Sequence, residues 1–276
     1  MYRTQWQLER SPFAVTPQLT HCYPAPALTE ALARIEYLVT QRRRVGALLG
    51  GAGLGKTTVL AKAESQLARG GVQVARVDAL GISPRELLWQ TSVQLGVAPR
   101  VEDDLPRLWR RLSDRLAENR WQNLATVLLV DDAGQAGPDL AQQLARLARL
   151  EVDPASRWTL VLAAEADQLA RWPDALLHSI DLRIDLYPWS ENDTIDYVQH
   201  SLVDAGCVAP IFTDEALVKL HELSHGVPRF VVRLADYALL AASGTDADRI
   251  DAETVASAFA DNRSAWHALF GTPTWA

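Results

Sequence analysis

Nine consecutive residues, Gly50-Gly51-Ala52-Gly53-Leu54-Gly55-Lys56-Thr57-Thr58, fit the pattern G-x-x-x-x-G-K-[ST]. Each residue type has a task in holding a polyphosphate. Gly51, Gly53 and Gly55 let the backbone wrap closely, and with Leu54 they aim N–H groups at the anion. The helix expected from Lys56 adds the positive end of its dipole. Lys56 reaches the β- and γ-phosphates, the Thr57 hydroxyl ligates Mg²⁺, and Thr58 adds a phosphate contact. The four fixed positions alone would arise by chance in roughly 1% of chains this long. The flanks make the reading specific: Val45–Leu49 is a short apolar run before the loop, and the residues after it have helical spacing.

A second chemical signal lies 75 residues beyond Lys56. Leu124–Val130 is apolar and strand-like, and it ends in Asp131-Asp132. A carboxylate at the carboxyl end of a strand beside a phosphate loop is placed to hold Mg²⁺. Asp131 takes that role, through water, and Asp132 sits where a carboxylate would orient an attacking water. Asp is common after strands, so the pair gains meaning only from its place downstream of the loop.

The elements that must position these residues alternate. Apolar residues at helical spacing, Leu28, Ile35 and Leu38 among them, predict a helix before the first strand. Val72–Val77 alternates and reads as strand two. Ser83-Pro84-Arg85-Glu86 is a capping box that starts a helix running to about Leu95. Leu105, Leu108, Trp109, Leu112 and Leu116 mark another helix. Its other face carries Arg107, Arg110, Arg111 and Arg115, either a surface for nucleic acid or an acidic partner, or simply a solvated face, which is the commoner case. A helix over Leu140–Leu150, a strand over Trp158–Leu162 and a strand over Ile180–Leu186 complete the alternation. The implied fold class is α/β: a P-loop NTPase three-layer core with a parallel sheet. After Tyr187-Pro188-Trp189 only helices follow, capped first by Ser190 and then by Thr213. Residues 1–25 read as an extended N-terminal arm packed on the domain, 26–189 as the core, 190–262 as an all-helical lid, and 263–276 as an aromatic tail. In the tail, Trp266, Phe270 and Trp275 suit packing against residues 1–25 or a hook for a partner.

Charge is divided unevenly over the 276 residues. The chain nets −7, yet residues 190–261 alone net −9, with 13 acids against Lys219, Arg229, Arg233 and Arg249. Such a third is a poor surface for DNA. Cys22 and Cys207 have neither metal-ligand spacing nor a disulfide framework, so two reduced thiols are expected. Met1–Ser11 has no apolar h-region and no run nears 18 apolar residues, so neither a signal peptide nor a membrane span is expected, and a cytoplasmic location follows.

These residues resemble the AAA+ ATPases, and within them the ATPase domain of the ExeA-type general secretion protein A, related to transposition ATPases of the TniB and TnsC kind. Ser11-Pro12-Phe13-Ala14-Val15-Thr16-Pro17 is similar to that family's opening Asn-Pro-Phe-x-x-Thr-Pro. Tyr23-Pro24 and Glu30-Ala31-Leu32 match its lead-in to the first helix. Leu182-Arg183 and Leu186-Tyr187-Pro188 resemble a later segment. Ser224-His225-Gly226-Val227-Pro228-Arg229 is similar to the sensor 2 motif, Ser-x-Gly-x-Pro-Arg, and Ile250-Asp251 with Val255 resembles the closing helix. The resemblance implies an AAA+ lid after the core, ATP and Mg²⁺ as ligands, Tyr23 and Pro228 near the nucleotide, and the Arg229 guanidinium on the γ-phosphate. It also implies a homo-oligomer formed on ATP binding. Three positions depart from the family. The second strand-end acid is Asp132 where Glu is usual. His178-Ser179 stands where Gln-Arg would supply an arginine finger, which leaves Arg183 as a candidate arginine acting in trans. The polar residue expected after strand four falls in Ala163-Ala164-Glu165, where Glu165 alone is polar.

Three functions are consistent with this pattern. One is a slow ATPase that couples nucleotide state to lid movement and assembly with a partner. The second is a nucleotide-gated binding module with little turnover. The third is a DNA-remodelling ATPase of the transposition kind, with the Arg107-to-Arg115 face in the oligomer's lumen.

Overall fold

The structure, a computed structural model, describes residues 2–13, 23–150, 155–207, 209–243 and 248–261. Cys22, Ala14–Pro17 of the opening motif and the tail 263–276 with Trp266, Phe270 and Trp275 lie outside the described residues. The chain divides into two compact units, Leu28–Gly51 with Lys56–Leu186, and Met1–Ala27 with Ala52–Gly55 and Tyr187–Ala276.

The first unit is built on five strands: β1 (Val45–Leu49), β2 (Gln73–Asp78), β3 (Thr126–Asp131), β4 (Trp158–Ala164) and β5 (Leu182–Asp185). They run parallel in the order β2-β3-β4-β1-β5. Every residue of β1, β3 and β4 is buried, which is why these segments read as continuous apolar runs rather than alternating ones. β2 alternates in sequence because it is an edge strand, only partly buried along its length. Among the helices of this unit, α3 (Lys56–Arg69) follows the phosphate loop directly, while α4 (Pro84–Gln94) and α5 (Leu105–Trp121) fill the connection from β2 to β3. The Ser83–Glu86 capping box forms as the residue types require. α6 (Pro138–Ala148) and the short α7 (Asp174–Leu177) precede β4 and β5 respectively.

The order puts β1 between β4 and β5, so the chain leaves β1 for one side of the sheet and returns on the other. Ligands of open parallel sheets bind outside the carboxyl ends of the strands at such a reversal. The ends of β1, β3 and β4 carry Gly50, Asp131-Asp132 and Glu165 there. The N–H of Gly50 donates to the Ala164 carbonyl at 3.2 Å, joining the start of the loop to the end of β4.

The arginine face of α5 is only half solvated. Arg111 pairs with the buried Asp103 at 2.8 Å and Arg115 with Glu118 at 3.2 Å. Arg107 and Arg110 are exposed. The Asp103 carboxyl lies below its ordinary range, held there first by the Arg100 N–H and then by Arg111.

In the second unit, α8 (Glu191–Asp204), α9 (Asp214–Ser224), α10 (Pro228–Ala242) and α11 (Ala252–Asp261) surround an apolar core. Ser190 with Asp193 forms a capping box at α8, and Thr213 caps α9. The N-terminal segment is not extended throughout. Tyr2–Gln5 forms one helical turn, α1, and Leu8 and Phe13 are buried in the core of the helices. Burial of these large apolar side chains stabilises the segment on the helices. The N–H of Glu9 donates to the Ala205 carbonyl at 2.9 Å, and Arg10 pairs with Asp204. The Phe13 ring centroid lies 6.3 Å from Tyr197 and 6.4 Å from Phe212, the latter edge-on.

Phe13→Ala removes an aromatic side chain that is 1% exposed. Its expected cost is about 3–5 kcal/mol, read by denaturant titration of the full chain. A cost near zero would show that residues 2–13 do not belong to the folded helical unit.

Candidate functional site

Within the sheet unit the site is built from strand ends. Lys56 starts α3 and is 8% exposed. Its ammonium donates to the carbonyl oxygens of Gly50 at 2.8 Å and Gly51 at 3.1 Å. A buried cation must be paired or hydrogen-bonded, and here its acceptors belong to the loop that the motif assigns to phosphate. Thr57 is exposed and Thr58 half-buried on the first turn of α3, where backbone N–H groups lack intrahelical partners.

Asp131 ends β3 and is 5% exposed. Asp78 ends β2 and stands opposite it in the parallel register. Asp132 follows in a left-handed conformation, φ 47° and ψ 32°, and its N–H donates to Asp131 Oδ1 at 3.1 Å. The Asp132 carboxyl is held above its ordinary range. Burial is the largest cause, the Asp131 and Asp78 carboxylates come next, Lys56 opposes them, and Glu165 adds a smaller push in the same direction. A group of acids crowded enough to disfavour ionisation is one that a divalent cation would relieve. Among the described residues, no cluster of three or more His, Cys, Asp or Glu side chains forms a metal cage by itself. Mg²⁺ takes one or two protein oxygens and completes its shell with water and phosphate. Thr57 and Asp131 fit as the protein's share.

Within the helical unit, Gly53 has φ +80°, and a Cβ there would lie 3.1 Å from both Arg229 Cβ and Val227 Cγ1. The Arg229 N–H donates to the Gly53 carbonyl at 3.2 Å. Gly55 has φ +96° with open space on its Cβ side. The Val227-Pro228-Arg229 start of α10 therefore meets the phosphate loop at Gly53. Pro228 stands at the first turn of α10, where its missing N–H costs nothing. Gly226, φ +68°, has no room for a side chain because a Cβ would overlap the Trp189 carbonyl oxygen. Tyr23 sits in an aromatic cluster, 5.9 Å from Tyr197 and 6.4 Å from Trp189 between ring centroids. Burial, then Asp196 and Asp193, raises its phenol pKa.

Residues 39–172 match the AAA domain family. Over 254 residues the chain is 32% identical to General secretion pathway protein A of Aeromonas hydrophila, a match that spans 91% of this chain and 46% of that protein. Over the matched segment the chain resembles the AAA domain family, and its parallel sheet and helical unit have the AAA+ fold. It spans about half the length of that curated relative. Solved structures agree in fold: Cdc6p from Pyrobaculum aerophilum (TM-score 0.71, 16% identity, 90% of this chain and 70% of that one) and the ORC2 protein of Aeropyrum pernix in ADPNP–ADP complexes (TM-score 0.69, 16% identity, 92% and 72%). At these identities they show the fold alone. Among the described residues, no helix is long and apolar enough to cross a membrane.

The sheet places Lys56, at the start of α3, and Asp131 near Asp132 at the carboxyl ends of the strands, and Thr57 follows Lys56 in sequence. Arg183 lies on the edge strand β5, side chain 58% exposed, and its guanidinium is bonded to Asp185 at 2.8 and 2.9 Å. Two acids were missed as site residues. Asp78 ends an apolar alternating run just as Asp131 ends its own, so the signal was present. Glu165 was visible only as the single polar residue after β4, and its link to Asp132 needs the β3–β4 pairing.

Asp132→Asn is expected to stabilise the nucleotide-free protein at pH 7.5. A carboxyl whose folded pKa is raised costs stability once pH passes its ordinary value of about 4, and the cost is full above its folded pKa. Asn keeps the left-handed backbone accessible. The gain in melting temperature should therefore shrink as pH falls into the acid range. A lower melting temperature for the variant at pH 7.5 would contradict the crowding of carboxylates.

Proposed function

We propose that this AAA+ chain binds ATP with Mg²⁺ and hydrolyses it slowly, using the nucleotide state to set the position of Arg229 and the helical unit and so to assemble with a partner. The observation that carries this reading is the buried Lys56 ammonium, held on the Gly50 and Gly51 carbonyls of a loop whose Gly53 and Gly55 take left-handed conformations. Gly51, Gly53, Leu54, Gly55 and Thr58 would present backbone and hydroxyl groups to the phosphates, and Lys56 would exchange its carbonyl partners for phosphate oxygens. Thr57 and Asp131 would hold Mg²⁺, which would supply charge neutralisation at the phosphates. Asp132 would orient the attacking water, and Arg229 would report on the γ-phosphate. Tyr23 and Pro228 complete the proposed nucleotide contacts.

Slow turnover follows from two features. Asp132 is shorter than Glu by one C–C bond, roughly 1.5 Å. Arg183 is engaged in cis by Asp185, so an assembly that used it in trans would first have to break that pair. An arginine supplied in trans is worth on the order of 10³–10⁵ in rate in other phosphoryl-transfer enzymes. The second reading, a nucleotide-gated module with little turnover, is favoured by the same two features. The transposition-type reading keeps one support, the exposed Arg107 and Arg110, against an acidic helical third. A domain that runs on ATP belongs where ATP is, in the cytoplasm.

Steady-state hydrolysis tests the proposal. The parent should turn over below about 1 s⁻¹, the low end of ordinary enzymes. Asp132→Glu should be faster, because it restores reach without changing charge. A parent that already hydrolyses several ATP per second, and slows with Asp132→Glu, would identify an active motor rebuilt around the shorter acid.

A further inference from the structure

Two side chains from one short segment close on the turn that carries Asp132. The 3₁₀ segment Ala166–Arg171 follows β4 and is capped by Glu165. The N–H of Glu165 donates to Gln168 Oε1 at 3.1 Å, which folds the Gln168 side chain back over its own first turn. There it fills the space beside Gly134. A Cβ built on Gly134 would lie 2.7 Å from Gln168 Cβ and 2.8 Å from its Cδ, and would overlap Oε1. Gly134 is glycine because of this approach, not because of its own backbone angles. Just past the segment, Trp172, 4% exposed, donates its Nε1–H to the Ala133 carbonyl at 3.2 Å.

Ala133 and Gly134 are the two residues directly after Asp132, and both are buried. They are thus held from a part of the chain more than thirty residues away. A left-handed conformation at a residue other than glycine persists only where the surroundings over-determine it. Gln168 and Trp172 are those surroundings.

We infer that Gln168 and Trp172 are positioning residues for Asp132, a role that presupposes the hydrolysis proposed above. They act through Gly134 and Ala133, fix the direction of the Asp132 carboxylate at the end of β3, and touch no substrate. A packing role would cost stability and nothing specific to the reaction. A positioning role costs kcat at constant KM, and only while Asp132 is present.

The test uses the full chain with Mg·ATP. Turnover and KM are measured for Gln168→Ala and Trp172→Phe, each with Asp132 intact and in an Asp132→Ala background, and amide exchange is followed over residues 132–135. Gln168→Ala should lower kcat roughly 10- to 100-fold, the range that a misplacement of about 1 Å produces, with KM unchanged. Trp172→Phe keeps the ring and loses only the donor, so its loss should be smaller. Neither change should lower the rate further once Asp132 is Ala, and exchange at 132–135 should quicken in Gln168→Ala. Parent-like kcat in Gln168→Ala, or the same proportional loss with Asp132 absent, would overturn the assignment. A parent chain without turnover would instead refute the hydrolysis reading. The exchange measurement then decides alone: faster exchange upholds the clamp, and unchanged protection overturns it.

Discussion

The Lys56 ammonium is nine-tenths buried, and its hydrogen bonds to the Gly50 and Gly51 carbonyls keep it there. Leaving such a charge unpaired would cost several kcal/mol, so the loop must curl far enough to offer two carbonyls. It can do so only because its glycines accept left-handed angles. It is anchored at one end by the Gly50–Ala164 hydrogen bond to β4 and at the other by the start of α3. The parallel sheet supplies both anchors, since β1 and β4 are neighbours and end at the same level. The acids follow from the same arrangement. Asp78, Asp131 and Glu165 are the residues at which β2, β3 and β4 reach that edge.

Opposite charges at this edge are placed by different means. Lys56 is delivered by a loop and a helix start, the carboxylates by the carboxyl ends of parallel strands in register. A one-residue slip of β3 would turn Asp131 to the other face, and its six buried residues forbid it. Burial first, and the gathered acids second, raise the Asp132 pKa, a strain that a nearby divalent cation would relieve. Asp132 also holds a backbone conformation that costs roughly 1 kcal/mol in a free chain. Active sites often store strain of both kinds.

Much of this was legible in the residues. The loop announces itself by type and spacing, the buried strands by unbroken apolar runs, and the helix starts by Ser83, Ser190 and Thr213, whose caps form as their side chains require. What could not be read depends on strand order and on side-chain partners far away in sequence. The order β2-β3-β4-β1-β5 is what sets Glu165 beside Asp132. The arginine face of α5 looked uniform, yet Arg111 is taken by a buried Asp103 eight residues back, a pair that only the folded loop reveals. The N-terminal segment, rich in proline, read as an extended arm packed on the domain; Leu8 and Phe13 do enter a core, but Tyr2–Gln5 coils into a helical turn. Gly134 gave no hint of its purpose, because its neighbour Gln168 lies on another strand's connection.

Calorimetric titration of ATP into the parent chain and into Lys56→Ala, both in excess Mg²⁺, tests the central claim most directly. The account predicts a saturable, stoichiometric isotherm for the parent and its loss in the variant, since a charge-assisted contact to the β- and γ-phosphates disappears. Equal affinity in the two proteins would contradict it, and would mean that the loop around Lys56 is not the nucleotide site.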